Sequence, residues 1–182
     1  MQRIKCESNT VLVSMESQIT QESEPPGSLA DATESFVQSA LTHLGIKNWE
    51  LSILYCNDDY IRQLNREYRG RDEPTDVLSF SSADGEFCAP SSPRIIAGDI
   101  VISLDSLKKN SAEFNIALGE ELKRLLVHGI LHLNGYDHER NLLNSYRENG
   151  DIKEEEEMLA LQERVLQFFR ASVIIGKGDG SI

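Results

Sequence analysis

Cysteine is scarce in this chain: Cys6, Cys56 and Cys88 are the only three in 182 residues. They lie far apart, are odd in number and form no C-x-x-C pair. Neither a disulfide framework nor a thiolate zinc site is implied, and a reducing cytoplasm is the natural setting. Positive charge is also short. Eighteen Lys and Arg against thirty Asp and Glu leave a formal net charge of -12. That balance argues against a general nucleic-acid coat, which needs many cations for phosphates, but it allows a local basic groove. No apolar run approaches the ~20 residues of a membrane helix. The start, MQRIKCESNTVLVSMES, has only the short apolar piece Val11 to Val13 and no small-residue cleavage signature, so it is not expected to be a signal peptide. No internal repeat is visible. What is present, 40% hydrophobic and 26% charged residues, is the make-up of a soluble globular protein long enough for one domain with a real core.

The charges are unevenly placed. Between Arg62 and Arg71 four arginines face a single acid, Glu67, while Glu148 to Glu163 carries seven acids against Lys153 alone. The acidic run reads as a solvated helix face.

Alternation and punctuation divide the chain into elements. Asn9 to Met15 suits an edge strand, and Glu16 to Gly27, with Pro25-Pro26-Gly27, a linker or turn. A helix is expected from about Leu29 to Leu44, capped by Ser28 or Asp31 and stopped by Gly45. His43 at its end reads as a surface residue. WELSILYC (Trp49 to Cys56) alternates as a strand, and Asn57-Asp58-Asp59 offers caps for a helix from Tyr60 to about Tyr68. Pro74 biases Glu73 to an extended conformation, so that helix ends before it. Thr75 to Phe80 is a short strand, 81–93 a surface loop, and Arg94 to Ser103 the strongest strand signal. Ser103 then caps a helix with Leu104, Leu107 and Ala112 facing inward, and Asn115-Ile116 marks a break. Leu118 to Asn134 is apolar on nearly all sides, as a central buried helix is, and Gly135 ends it. Asp151 to Phe169 is a last amphipathic helix with Met158, Leu161, Val165, Leu166 and Phe169 on its core face. The tail GKGDGSI is expected to be flexible. Mixed strand and helix order predicts an α/β domain, a small sheet packed with helices.

Three of the four histidines fall in HGILHLNGYDH, from His128 to His138. His128 and His132 are one helical turn apart, so both imidazoles share a face. The break at Gly135 lets Tyr136 and Asp137 turn the chain back, and His138 can then supply a third nitrogen. Three nitrogens with one open position is the arrangement of a catalytic zinc site, where bound water has a pKa near ~7. The pattern departs from the H-E-x-x-H of zinc proteases: Gly129 stands where their glutamate base does. Peptide hydrolysis is correspondingly disfavoured.

HGILHLNGYDH, together with LNREYRGRDEPTDVLSF (Leu64 to Phe80) and GDIVIS (Gly98 to Ser103), resembles the signatures of the YbeY family, the bacterial metal-dependent endoribonucleases of ribosomal RNA maturation. The likeness runs in the right order over roughly Leu29 to Phe169. It implies a mixed four-stranded sheet, a single-strand-specific ribonuclease, zinc or another divalent ion on His128, His132 and His138, and an arginine needed for activity. That arginine falls in Tyr68-Arg69-Gly70. Departures are Ser81-Ser82 where many relatives have proline, a longer stretch from Glu139 to Asp151, and an N-terminal segment that matches nothing. Arg69 has the planar fork that binds a phosphate. Arg62, Arg66 and Arg71 either extend a phosphate track or are solvated helix residues. Asp99 is either a holding group or an ordinary strand-end aspartate, and Asp137 a proton carrier or a turn former.

The expected organisation is residues 1–27 as strand and linker, 28–170 as the ribonuclease domain and 171–182 as a flexible tail. Expected partners are single-stranded RNA, the ribosome or its proteins, with no membrane and no DNA. The competing expectations are a non-catalytic ribosome-assembly factor with a structural metal, and a metal-dependent hydrolase of another substrate.

Overall fold

The computed structural model describes residues 8–16, 26–82, 94–136, 150–172 and 174. Strict alternation in WELSILYC produces strand β2 (Trp49–Cys56), whose Leu51, Ile53 and Tyr55 are fully buried on one face. Strand β4 (Ile95–Ser103) lies parallel beside it. Strand β1 (Thr10–Met15) pairs in parallel with the other side of β2, from Thr10 opposite Glu50 to Met15 opposite Tyr55. Strand β3 (Val77–Ser81) closes the other edge, antiparallel to β4. The sheet is therefore mixed and four-stranded, in the order β1-β2-β4-β3.

Helices α1 (Pro26–His43), α3 (Leu104–Glu113), α4 (Leu118–Leu133) and α5 (Gly150–Phe168) contribute to one core against the Leu51, Ile53 and Ile100 face. Helix α2 (Asp58–Arg69) packs on the opposite face, where Ile61 meets Cys56, Leu78 and Val101. Among the described residues α4 is the most enclosed helix: Leu122, Leu125, Leu126, Ile130 and Leu131 are all at 0% exposure. Truncating one of these leucines to alanine is expected to cost about 2–5 kcal/mol.

Several boundaries differ from expectation. α1 begins at Pro26, because proline's fixed φ and missing N–H suit a first helical position; Pro26 and Gly27 are thus helix rather than linker. α2 starts at Asp58, with the Asn57 side chain accepting from the Tyr60 N–H. β3 starts at Val77, where the Asp76 carboxylate takes the Val77 N–H. Ala112 is exposed, not inward. The Ser103 cap on α3, the break at Asn115 (φ 52) and the end of α4 before Gly135 (φ 97) stand as read. The His43 ring is exposed and stacks on Phe168 at 4.1 Å. Glu156, Glu157 and Glu163 of the acidic run are solvent-facing. The segments 83–93 and 137–149, with Asp137 and His138, and the tail beyond 174 lie outside the described residues.

Candidate functional site

α4 carries His128 and His132 on its last two turns, each half-buried. Their rings meet edge-on, with centroids 4.5 Å apart and an interplanar angle of 74°. The two Nε2 atoms are 2.9 Å apart. Gln162 of α5 is buried and places its Oε1 3.1 Å from His128 Nδ1. An amide oxygen only accepts, so Nδ1 carries the proton and the Nε2 lone pair points at His132. One imidazole is therefore held in the tautomer a metal ligand needs, by the kind of outer partner such ligands use. The two Nε2 atoms directed to one point fit a divalent ion such as zinc, which each ring binds in its unprotonated form.

Gly129 lies between these histidines for a packing reason. A Cβ there would sit 2.7 Å from Ile100 Cδ1 and 3.0 Å from Ile100 Cγ2. Glycine lets α4 press against β4 and brings its last turns over the sheet edge.

The histidines open onto a cleft of about 430 Å³, whose lining includes Asn65, Arg69, Arg71 and Ser79. Arg69 ends α2, and its Nη2 donates to the Ser79 carbonyl of β3 at 3.3 Å. Gly70 follows in the left-handed conformation (φ 70) and returns its N–H to the Asn65 carbonyl. The Arg71 N–H donates to the same carbonyl at 3.2 Å, and buried Asn65 Nδ2 donates to the Glu73 carbonyl at 2.8 Å. Asn65 thus ties down both ends of the turn that holds Arg69 and Arg71 at the cleft.

The four arginines separate into two pairs. Arg62 donates twice to Asp72, at 2.9 and 3.2 Å, and Arg66 lies 3.8 Å from the same carboxylate. The Arg62 hydrogen bonds hold Asp72 below the usual carboxylate range and raise Arg62 above its own. Neither Arg62 nor Arg66 lines the cleft; Arg69 and Arg71 do. Asp99 is exposed on the other side of the sheet, next to Phe80 across the β3–β4 pair.

A polar hub joins β3 to α4 beside the cleft. Arg124 donates to both oxygens of fully buried Glu121, at 2.6 and 2.8 Å, and to Asp76 at 3.2 Å. Asn110 of α3 also donates to Asp76. Asn65, Arg124 and Gln162 are the site-building residues that sequence reasoning missed. A signal existed for two of them: Asn65 interrupts the Ile61–Leu64 stripe of α2, and Gln162 sits among Met158, Leu161, Val165 and Leu166 of α5. A polar residue on an apolar stripe asks for a buried partner.

Residues 15–170 match the family model described as Endoribonuclease YbeY. The chain is 49% identical over 148 residues to Endoribonuclease YbeY of Treponema denticola, covering 81% of this chain and 88% of that protein. It is 46% identical over 137 residues to Endoribonuclease YbeY of Borrelia recurrentis, covering 75% and 84%. The fold is similar to the solution structure of TM1509 from Thermotoga maritima, with a TM-score of 0.53 at 24% identity over 94% of this chain and 99% of that one.

Proposed function

The chain belongs to the endoribonuclease YbeY family, and from that premise we propose that it is a single-strand-specific, metal-dependent endoribonuclease of ribosomal RNA processing, acting in maturation of the small-subunit rRNA 3′ end and in ribosome quality control. Its substrate is single-stranded RNA rather than DNA, it works with the ribosome or ribosomal proteins, and its setting is the cytoplasm. Among the described residues no helix is long and apolar enough to cross a membrane. The ribonuclease domain is residues 28–170, to which the segment 1–27 adds the edge strand β1.

One observation carries the reading most directly: two converging imidazole nitrogens share a cleft with Arg69 and Arg71, in a chain of net charge -12. Cations kept at one cleft of an acidic protein suit an anionic substrate. His128, His132 and His138 are the residues that would hold a divalent ion, zinc or another. When bound, such an ion supplies Lewis acidity toward a phosphodiester oxygen and acidifies water.

The chain's own groups do the rest. Arg69 presents a planar fork to a phosphate and stabilises charge that builds there in the transition state. Its bond to the Ser79 carbonyl ties the exposed guanidinium to β3 at the cleft. Arg71, set by the Asn65 turn, adds a second cation at the same mouth. Gln162 holds the His128 ring and its tautomer. Gly129 brings no carboxylate base onto α4, so no glutamate of the zinc-protease kind competes for the role.

The test is cleavage of a single-stranded RNA by protein of measured metal content, with His132→Ala and Arg69→Glu alongside. Both variants are expected to lose most of the activity. Equal cutting by highly purified wild type and both variants would assign the activity to a contaminant and end the catalytic reading.

A further inference from the structure

A second cavity, of about 390 Å³, lies on the side of the sheet away from the histidines. Tyr68, Phe80 and Val101 form its apolar wall, and Ser14, Ser52 and Asp99 its polar lining. Alternation along β3 sends Ser79 to the histidine cleft and Phe80 to this cavity. The α2 terminus divides in the same way: Arg69 lines the cleft and Tyr68 the cavity. Two adjacent residue pairs therefore straddle β3, an edge strand that no other strand covers among the described residues.

The cavity pairs aromatic surface with an unused acid. Tyr68 is 60% exposed although it is large and aromatic, and its ring stands edge-on to Phe80 with centroids 5.1 Å apart. Phe80 and Asp99 are cross-strand partners, so the carboxylate neighbours the rings. Among the described residues the Asp99 carboxylate has no hydrogen bond or ion pair.

We infer that this cavity is a nucleobase subsite for the RNA strand whose phosphate meets Arg69, with Tyr68 as its stacking wall and Asp99 as a reader of guanine. The inference rests on the endoribonuclease reading above. Single-stranded RNA is recognised by stacking unpaired bases on aromatic rings and bonding their edges. An ionised carboxylate only accepts, so the base must present donors. Guanine alone among the four offers two adjacent ones, N1–H and the N2 amino group. Charge agrees with the division: Arg69, on the cleft side, takes the phosphate, while Asp99, on the far side, is kept for a neutral base. A chain crossing the edge of β3 satisfies both.

The experiment measures fluorescence anisotropy of labelled single-stranded oligouridines carrying one central guanosine, inosine or adenosine. The full chain is used, and probe integrity is checked on a gel. Wild type is expected to prefer the guanosine probe to the inosine probe, which lacks the N2 amino group. Tyr68→Ala is expected to weaken binding of every probe by about 5–150-fold, the range for loss of one base–aromatic stack, while Tyr68→Trp retains it. Asp99→Asn is expected to erase the guanosine preference and leave the adenosine probe unaffected. Unchanged RNA affinity in both Tyr68→Ala and Asp99→Asn overturns the inference, and is the outcome expected if this face docks a protein instead. Loss in Tyr68→Ala with no guanosine preference in wild type overturns the guanine assignment. A wild type that neither binds nor cuts any probe removes the endoribonuclease reading itself. One that binds and cuts but ignores both substitutions removes only the subsite.

Discussion

Replacing Gln162 with leucine tests the architecture of the histidine site at its least obvious point. Gln162 is 7% exposed, and its Oε1 lies 3.1 Å from His128 Nδ1. Leucine fills similar space but offers no acceptor, so the Nδ1–H loses its partner and the ring its orientation. Two consequences follow, with different readouts. The unpaired donor destabilises the fold by roughly 1 kcal/mol, the low end for a buried group, because His128 is only half-buried and water can reach it. That lowers the melting temperature by about 2–4 °C in a protein of this size. Metal affinity is expected to fall by about 10–100-fold, the usual effect of losing an outer partner of a ligating histidine. This corresponds to about 1.4–2.7 kcal/mol. Competition against a chromophoric zinc chelator reads the second effect, and melting of metal-free protein reads the first. Gln162→Glu keeps the acceptor and adds charge, so it should bind zinc at least as tightly as wild type. If Gln162→Leu binds zinc with wild-type affinity, the bond from α5 does not set the His128 tautomer and the reasoning fails.

Gly129→Ala gains about 1 kcal/mol of helix propensity but drives a Cβ to 2.7 Å from Ile100, where overpacking costs about 1–3 kcal/mol. A net loss of about 1 kcal/mol is expected in urea unfolding, with partial recovery on adding Ile100→Val; a stabilised single variant would refute the packing account. Arg124→Met strands the fully buried Glu121 carboxylate and should cost about 3 kcal/mol, the low end for a broken buried pair because Arg124 is 35% exposed. Adding Glu121→Gln should recover much of it in a double-mutant cycle, and simple additivity would argue against the pair. Burial first, and then the carboxylates of Glu16, Asp58 and Asp105, push the Cys56 thiol up to about 12. The folded state then holds a proton that the unfolded state releases near the ordinary thiol pKa, so stability is intact below about pH 8 and declines as pH rises toward 12. Cys56→Ala should flatten that alkaline decline in denaturant titrations; an unchanged slope would exclude Cys56 as its source.

Which features were legible in the sequence depended on how local their causes are. β2 was readable to the residue because alternation is a two-residue signal. The Asn57 and Ser103 caps were readable because a cap bonds within three residues. α4 was readable as the central helix because it is apolar all round, though the fully buried Glu121 and nearly buried Lys123 depend on partners that no periodicity shows. The arginine cluster marks the limit. Arg62, Arg66, Arg69 and Arg71 look equivalent in one dimension. The bend at Gly70 gives Asp72 to the first two and the cleft to the last two. Gln162 bonds to a residue 34 positions away, so only the docking of α5 on α4 reveals its role. Asn65 bonds only eight residues ahead, but through a turn whose path the sequence does not declare.

Gly129 joins the fold to the chemistry. As a sequence feature it was an absence, the missing glutamate of H-E-x-x-H. In the structure it is a contact: any side chain there meets Ile100 of β4. A glutamate at 129 would place its Cβ 2.7 Å from the Ile100 side chain, so that side chain or the helix would have to shift. α4 also carries His128 and His132 toward β3 and Arg69, so any shift of the helix would move the imidazoles relative to the arginine they share a cleft with. The close packing that assembles this cleft therefore disfavours any side chain, and with it a carboxylate base, at that helix position. A hydrolytic site on this scaffold has to draw on other groups, and the described residues that share the cleft with the histidines include the two arginines, the β3 strand edge, Asn65, Thr75 and Glu73 of the turn that Asn65 ties down. Glu73 lines the same cleft as the histidines and comes from the Arg69 block rather than from α4. Ligands thus come from the helix and charge from the turn, a division that the packing at Gly129 favours.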